Sequence, residues 1–76
     1  ENDFHIYPNP NEGRFTIQTT KQVQSIKVYN MLGEMVHQSQ NNAQLTEIDL
    51  SRHGKGIYMV RILQGDQIFT ERVIYH

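Results

Sequence analysis

The sequence predicts an all-β chain: two antiparallel sheets packed face to face, about seven short strands and essentially no helix. Three observations carry this. Apolar residues alternate with polar ones at a period of two through Phe15 to Gln18, Ser25 to Val28 and Glu47 to Leu50, the pattern of a half-buried strand. Glycine, proline and asparagine punctuate the apolar stretches at short intervals, as turns between strands require. No stretch of ten residues repeats at the helical period.

Asp3 to Tyr7 reads as a first strand stopped by Pro8. Proline has no amide hydrogen to continue a central ladder, so this strand belongs at a sheet edge. Pro8-Asn9-Pro10-Asn11-Glu12-Gly13 then packs two residues of fixed φ and a terminal glycine into one tight connection. In the second strand Phe15 and Ile17 point one way, Thr16 and Gln18 the other. Thr19 to Gln22 is polar and reads as the next connection. Ile26 and Val28 alternate with Ser25 and Lys27 in a third strand. Asn30-Met31-Leu32-Gly33 fits a type I turn whose last residue takes a positive φ, the form that makes a three-residue hairpin with a bulge. Glu34 to Gln38 returns as a fourth strand carrying Met35 and Val36, and Ser39 to Gln44 reads as a polar loop. Leu45 to Leu50 follows with Ile48 and Leu50 on one face, and Ser51 to Gly56 is a loop.

The last hairpin is the longest element, Ile57 to Leu63 against Gln67 to Tyr75 about a Gly65-Asp66 turn, where a leading glycine suits a type II′ turn. That loop sets Ile62 opposite Phe69 and Tyr58 opposite Val73, so Tyr58, Val60, Ile62, Phe69 and Val73 share one apolar face. Glu71 falls on the same face and belongs at its rim, unless the register slips by one. The opposite face carries Ile57, Met59, Leu63, Ile68 and Ile74 with Arg61, Thr70 and Arg72. These elements together argue for a sandwich of immunoglobulin-like architecture, although the bridged cysteines and tryptophan of antibody domains are missing.

Composition limits the function. A chain of 76 residues predicts one domain, 1–76, with a thin core, and without cysteine it has no disulfide or thiolate metal site to stiffen it. Its net charge is −1, and its cations Arg14, Lys21, Lys27, Arg52, Lys55, Arg61 and Arg72 are scattered among acids, not gathered into the basic stripe that nucleic acid demands. No apolar run approaches a membrane-spanning helix. The start at Glu1 suggests a piece of a longer protein.

Catalytic and metal patterns are weak. Asp49, Ser51 and His53 are the residue types of a nucleophilic triad, but two residues of strand advance about 6.6 Å, beyond hydrogen-bond reach from nucleophile to base. The spacing fits a strand end running into a loop. His5, His37, His53 and His76 form no metal-ligand pair and read as four surface histidines. No phosphate-cradling glycine motif occurs, and a chain so small leaves little volume for a ligand pocket. An enzyme, a metal or a cofactor is not expected. What remains is surface: the outer face of the last hairpin is either a second wall of the core or an exposed docking strip.

Four blocks, in order, carry a family resemblance. They are Tyr7, Pro8, Pro10 and Gly13; Ile26, Val28, Tyr29, Leu32, Gly33 and Val36; Ile48, Asp49, Leu50, Ser51, Gly56, Tyr58 and Val60; and Thr70, Arg72, Val73 and Ile74. Over about residues 4 to 76 the chain resembles the C-terminal sorting domain, type A, of the type IX secretion system of Bacteroidetes-type bacteria. Family members often carry lysine in the final strand and at the terminus, where this chain has Arg72 and ends in Tyr75-His76.

The resemblance implies a non-catalytic signal in folded form. It would fold in the periplasm at the end of a cargo protein and be recognised by outer-membrane shuttle and translocon components. A sortase-like cysteine protease would then cut it off as the cargo is attached to the cell surface or released. On this reading Pro8, Pro10, Gly13, Gly33 and Gly56 form turns, and Tyr58, Val60 and Val73 are core. Arg61, Thr70, Arg72 and Ile74, with the Pro8 to Gly13 loop, would meet the translocon. The alternative is an immunoglobulin- or fibronectin-like accessory module binding carbohydrate or serving adhesion. Edge strands of such a sandwich can also pair between chains, giving a dimer or a swapped hairpin.

Overall fold

The computed structural model describes residues 4–42 and 44–76, which form seven strands and no helix. These are β1 (Phe4–Tyr7), β2 (Arg14–Thr19), β3 (Val23–Tyr29), β4 (Met35–Asn42), β5 (Leu45–Asp49), β6 (Gly56–Gln64) and β7 (Gln67–Tyr75). One sheet has the order β1-β2-β5 and the other β4-β3-β6-β7, with antiparallel pairing throughout. The chain therefore changes sheets between β2 and β3, returns at β5 and crosses again before β6. This is a Greek-key sandwich consistent with immunoglobulin-like architecture.

Alternation within each strand builds the core. Phe4, Phe15, Ile17 and Ile48 from the three-stranded sheet, with Leu50 just past β5, meet Val23, Ile26, Val28, Tyr58, Val60, Ile62 and Val73 from the four-stranded sheet, all buried. Phe4 and Phe69 close one side edge-to-face, with ring centroids 5.3 Å apart. Complete burial of one such aliphatic side chain contributes roughly 1.5–3 kcal/mol. So thin a core has few contacts to spare.

The turns follow their residue chemistry. Gly33 lies at φ +86 and donates its amide to Asn30 O at 3.0 Å, while Asn30 N reaches Glu34 O at 2.9 Å and the ladder shifts by one at Val28/Tyr29. The Asn30 side chain locks this hairpin, its Oδ1 accepting from the amides of Leu32 and Glu34, each at 2.9 Å. In the final hairpin Ile62 faces Phe69 and Tyr58 faces Val73. The register is not slipped, and Glu71, opposite Val60, is half-buried beside Phe4 and Ile6 where β7 nears β1.

Tyr58, near the start of β6, ties down the loop that leads into it. Its ring is in the core, and its hydroxyl donates back to the loop carbonyls of His53, at 3.0 Å, and Gly54. A tyrosine near the start of this strand, tied to backbone a few residues upstream, is the tyrosine corner of immunoglobulin-like sandwiches.

Several expectations need correction. Thr19, read as loop, is the buried end of β2, paired with Phe4. β4 runs on to Asn42, through residues expected to form a loop; as an edge strand it needs backbone pairing with β3 more than apolar side chains, and Ser39 and Gln40 pair with Ile26 and Ser25. Asp3 and Ala43, assigned to the first strand and that loop, lie outside the described residues. His37 is not a surface histidine: it is half-buried beneath β4, with its Nε2 buried and without a hydrogen-bond partner. Outside the core the surface carries two open grooves of about 540 and 480 Å³.

Candidate functional site

Among the described residues, no other layer covers the outer face of the four-stranded sheet. Ile57 and Ile68 are 36% and 60% exposed, so this face is a surface and not a second wall of the core. Strand pairing arranges it in rows. Met35, Tyr29, Met59 and Arg72 form one row across β4, β3, β6 and β7, and Gln38, Lys27, Arg61 and Thr70 form the next. The Arg61 guanidinium stands 5.5 Å from the centroid of the Tyr29 ring, a cation–π contact between the rows.

The Pro8 to Gly13 segment lies along the free edge of β7. Both Tyr7–Pro8 and Asn9–Pro10 peptide bonds are cis. The Asn9 side chain behaves as a short piece of strand, its Nδ2 donating to Arg72 O at 2.9 Å and its Oδ1 accepting from Ile74 N at 3.0 Å. Asn11 then pairs in parallel with Tyr75, its amide donating to Ile74 O at 2.8 Å while its carbonyl accepts from His76 N at 3.0 Å. The connection expected from the two prolines thus also crosses from one sheet to the other. Among the described residues, the backbone bonds of this segment to β7 fall at residues 72 to 76 and none at 68 to 71.

Of the residues assigned roles from sequence, Pro8 and Pro10 are exposed in this crossing segment, while Gly13, Gly33 and Gly56 lie at φ +113, +86 and +150. Tyr58, Val60 and Val73 are buried. Arg61, Thr70 and Arg72 are exposed and Ile74 half-exposed, all on the outer face. The Pro segment and the hairpin are brought together through Asn9 and Asn11. Sequence reasoning treated those asparagines only as turn residues, although a hydrogen-bonding side chain between two prolines was the available signal.

The triad residues make a turn instead. Asp49 accepts from the Ser51 amide at 2.9 Å and lies 3.5 Å from Arg14, and its carboxyl is held below the usual range, first by hydrogen bonds from Ser51 and then by Arg14. Burial pushes the Tyr58 hydroxyl up, with Tyr75 adding to the effect, so it remains a donor. Burial, reinforced by His53, pulls the His37 imidazole down. Among the described residues no cluster of three or more metal-ligating side chains forms.

The family model of the secretion system C-terminal sorting domain matches residues 5–76, nearly the whole chain and all four sequence blocks. The chain belongs to that family, the C-terminal sorting domains of the type IX secretion system. A search of curated proteins finds no match. Such sorting domains are generally non-catalytic and mark a fused cargo for export across the outer membrane, to the surface or the medium. In this sorting domain the blocks have distinct physical tasks: the first ties the two sheets together at the β7 edge, the second forms the β3–β4 hairpin, the third supplies the tyrosine corner, and the last is the edge strand itself.

Proposed function

We propose that this sorting domain is the folded address of a cargo protein joined upstream, recognised in the periplasm by the outer-membrane shuttle and translocon of the type IX system. A sortase-like cysteine protease removes it during export, as the cargo is attached to the cell surface or released. The observation that carries the reading is the family match over residues 5–76. Its docking surface is the outer face of the last hairpin, Arg61, Thr70, Arg72 and Ile74. Supporting this is the exposure of apolar side chains beside arginine on a face that no other layer of the described residues covers.

The test is export of a fluorescent reporter that carries a periplasmic signal peptide and ends in residues 1–76, in a type IX-competent bacterium and its translocon-deficient mutant. Fluorescence outside the cell only in the competent strain is expected. Equal periplasmic retention in both strains refutes the sorting role and leaves an accessory binding module. Arg61→Glu combined with Ile74→Ser should abolish export while the fold persists; unchanged export removes the docking assignment.

A further inference from the structure

The β3–β4 turn overhangs the outer face and, with Tyr29, Met59, Arg61 and Thr70, encloses an open groove of about 480 Å³. All three methionines of the chain, Met31, Met35 and Met59, stand on or beside it, and Met31 and Met35 are 66% and 50% exposed. Flexible thioethers adapt to an apolar side chain from another molecule, and Met, Tyr and Arg are the residues enriched at binding surfaces.

The charge on this face has one sign. Lys27, Arg61 and Arg72 occupy its strand positions, and no Asp or Glu does. Lys27 and Arg61 are direct cross-strand partners. Like charges placed opposite each other destabilise a sheet, and among the described residues no carboxylate forms an ion pair with either. The nearest described acid at the groove's turn, Glu34, is engaged by Asn30 Nδ2 at 2.8 Å. A chain of net charge −1 thus keeps an unneutralised cation row beside an apolar groove. A bound carboxylate would relieve that conflict.

We propose that this groove receives an extended acidic segment of a partner protein, with an apolar side chain between Met31 and Met59 and carboxylates on Lys27 and Arg61. The inference rests on the sorting reading only for the partner's identity as export machinery; the binding chemistry stands apart from it.

The methionines are built-in reporters. The chain labelled with 13C at the methionine methyls is titrated with a blocked hexapeptide alternating glutamate and leucine, and with two controls, one alternating glutamate and serine and one alternating lysine and leucine. The Met31 and Met59 signals should move with the first peptide and much less with the controls. Arg61→Gln and Lys27→Gln should each weaken binding about two- to fivefold, with amide spectra showing an intact fold, since exposed ion-pair contacts are of that size. Raising the salt to about 0.5 M should also weaken it, because exposed pairs are screened. Absent shifts, equal shifts with the lysine peptide, or shifts that grow with protein concentration alone, which would mark a second copy as the occupant, each overturn the proposal. Peptide binding with no reporter export removes the sorting reading and keeps the site. Export with no peptide shift does the reverse.

Discussion

The ring of Tyr75 lies so close to Gly13 that a Cβ on that glycine would meet Cζ at 3.1 Å and the hydroxyl oxygen at 3.2 Å. Gly13 also holds φ +113, accepts the Leu50 amide at 2.6 Å, and donates its own amide to Asn11 Oδ1 at 2.9 Å. One residue therefore joins the Pro segment, the end of β5 and the last strand. Gly13→Ala should cost about 1–3 kcal/mol, from strain at positive φ and displacement of the ring. Urea denaturation followed by circular dichroism measures it, and Gly13→Ala with Tyr75→Ala should restore only the steric part. An unchanged midpoint in the single variant would show that Tyr75 moves aside freely.

Asn9 supplies both hydrogen bonds of a missing strand residue to β7. Asn9→Ala should destabilise by about 0.5–1.5 kcal/mol, the usual net worth of a hydrogen bond. Hydrogen exchange at the Ile74 amide should accelerate more than at Val60 in the central strand. Asn9→Asp should be worse than alanine near neutral pH, because a carboxylate would then face the Arg72 carbonyl. Sedimentation of the alanine variant checks whether the uncovered edge now pairs between chains.

Tyr58→Phe keeps the buried ring and removes the donor that serves His53 O and Gly54 O. The expected loss is about 1–3 kcal/mol, because partly buried carbonyls lose their partner. Thermal unfolding checks it. The loop from Ser51 to Lys55 should become more open to proteolysis while the β6–β7 register stays as it is.

Acid should destabilise the fold. His37 is pulled below its ordinary 6.5 by burial and then by His53, so the unfolded chain binds its proton more tightly. A group with a depressed folded-state pKa contributes stability that is present above its unfolded value and lost as pH falls toward the folded one. The His37 contribution therefore begins to fade as pH drops below about 6.5, and Asp49, also depressed, adds a second loss at much lower pH. His37→Gln should flatten the dependence of the melting temperature on pH between about 7 and 5. An equally steep profile in that variant would place the titration elsewhere.

Much of the fold was legible because its signals are local. Alternation at Phe15 and Ile17 and at Ile48 and Leu50 marked strands and their inner faces, and the Gly65-Asp66 loop set the β6–β7 register. Asn30 and Gly33 carried the β3–β4 turn. The four ordered blocks were enough to place the family. The candidate site was only half legible: Arg61, Thr70, Arg72 and Ile74 shared a face by parity, but Lys27 and Tyr29 joined them only through the pairing of β3 with β6.

Residue order alone thus determined where strands begin and turn, because a two-residue period and a turn's φ requirements act within a few residues. Tertiary structure decided which strands are neighbours, that the polar end of β4 pairs at all, that Asn9 reaches β7 across 63 residues of sequence, and that the outer face stays open. The reason is that backbone pairing is nearly blind to side chains. A strand's sequence gives it two faces, and only the layer that packs against one of them decides which is core and which is surface.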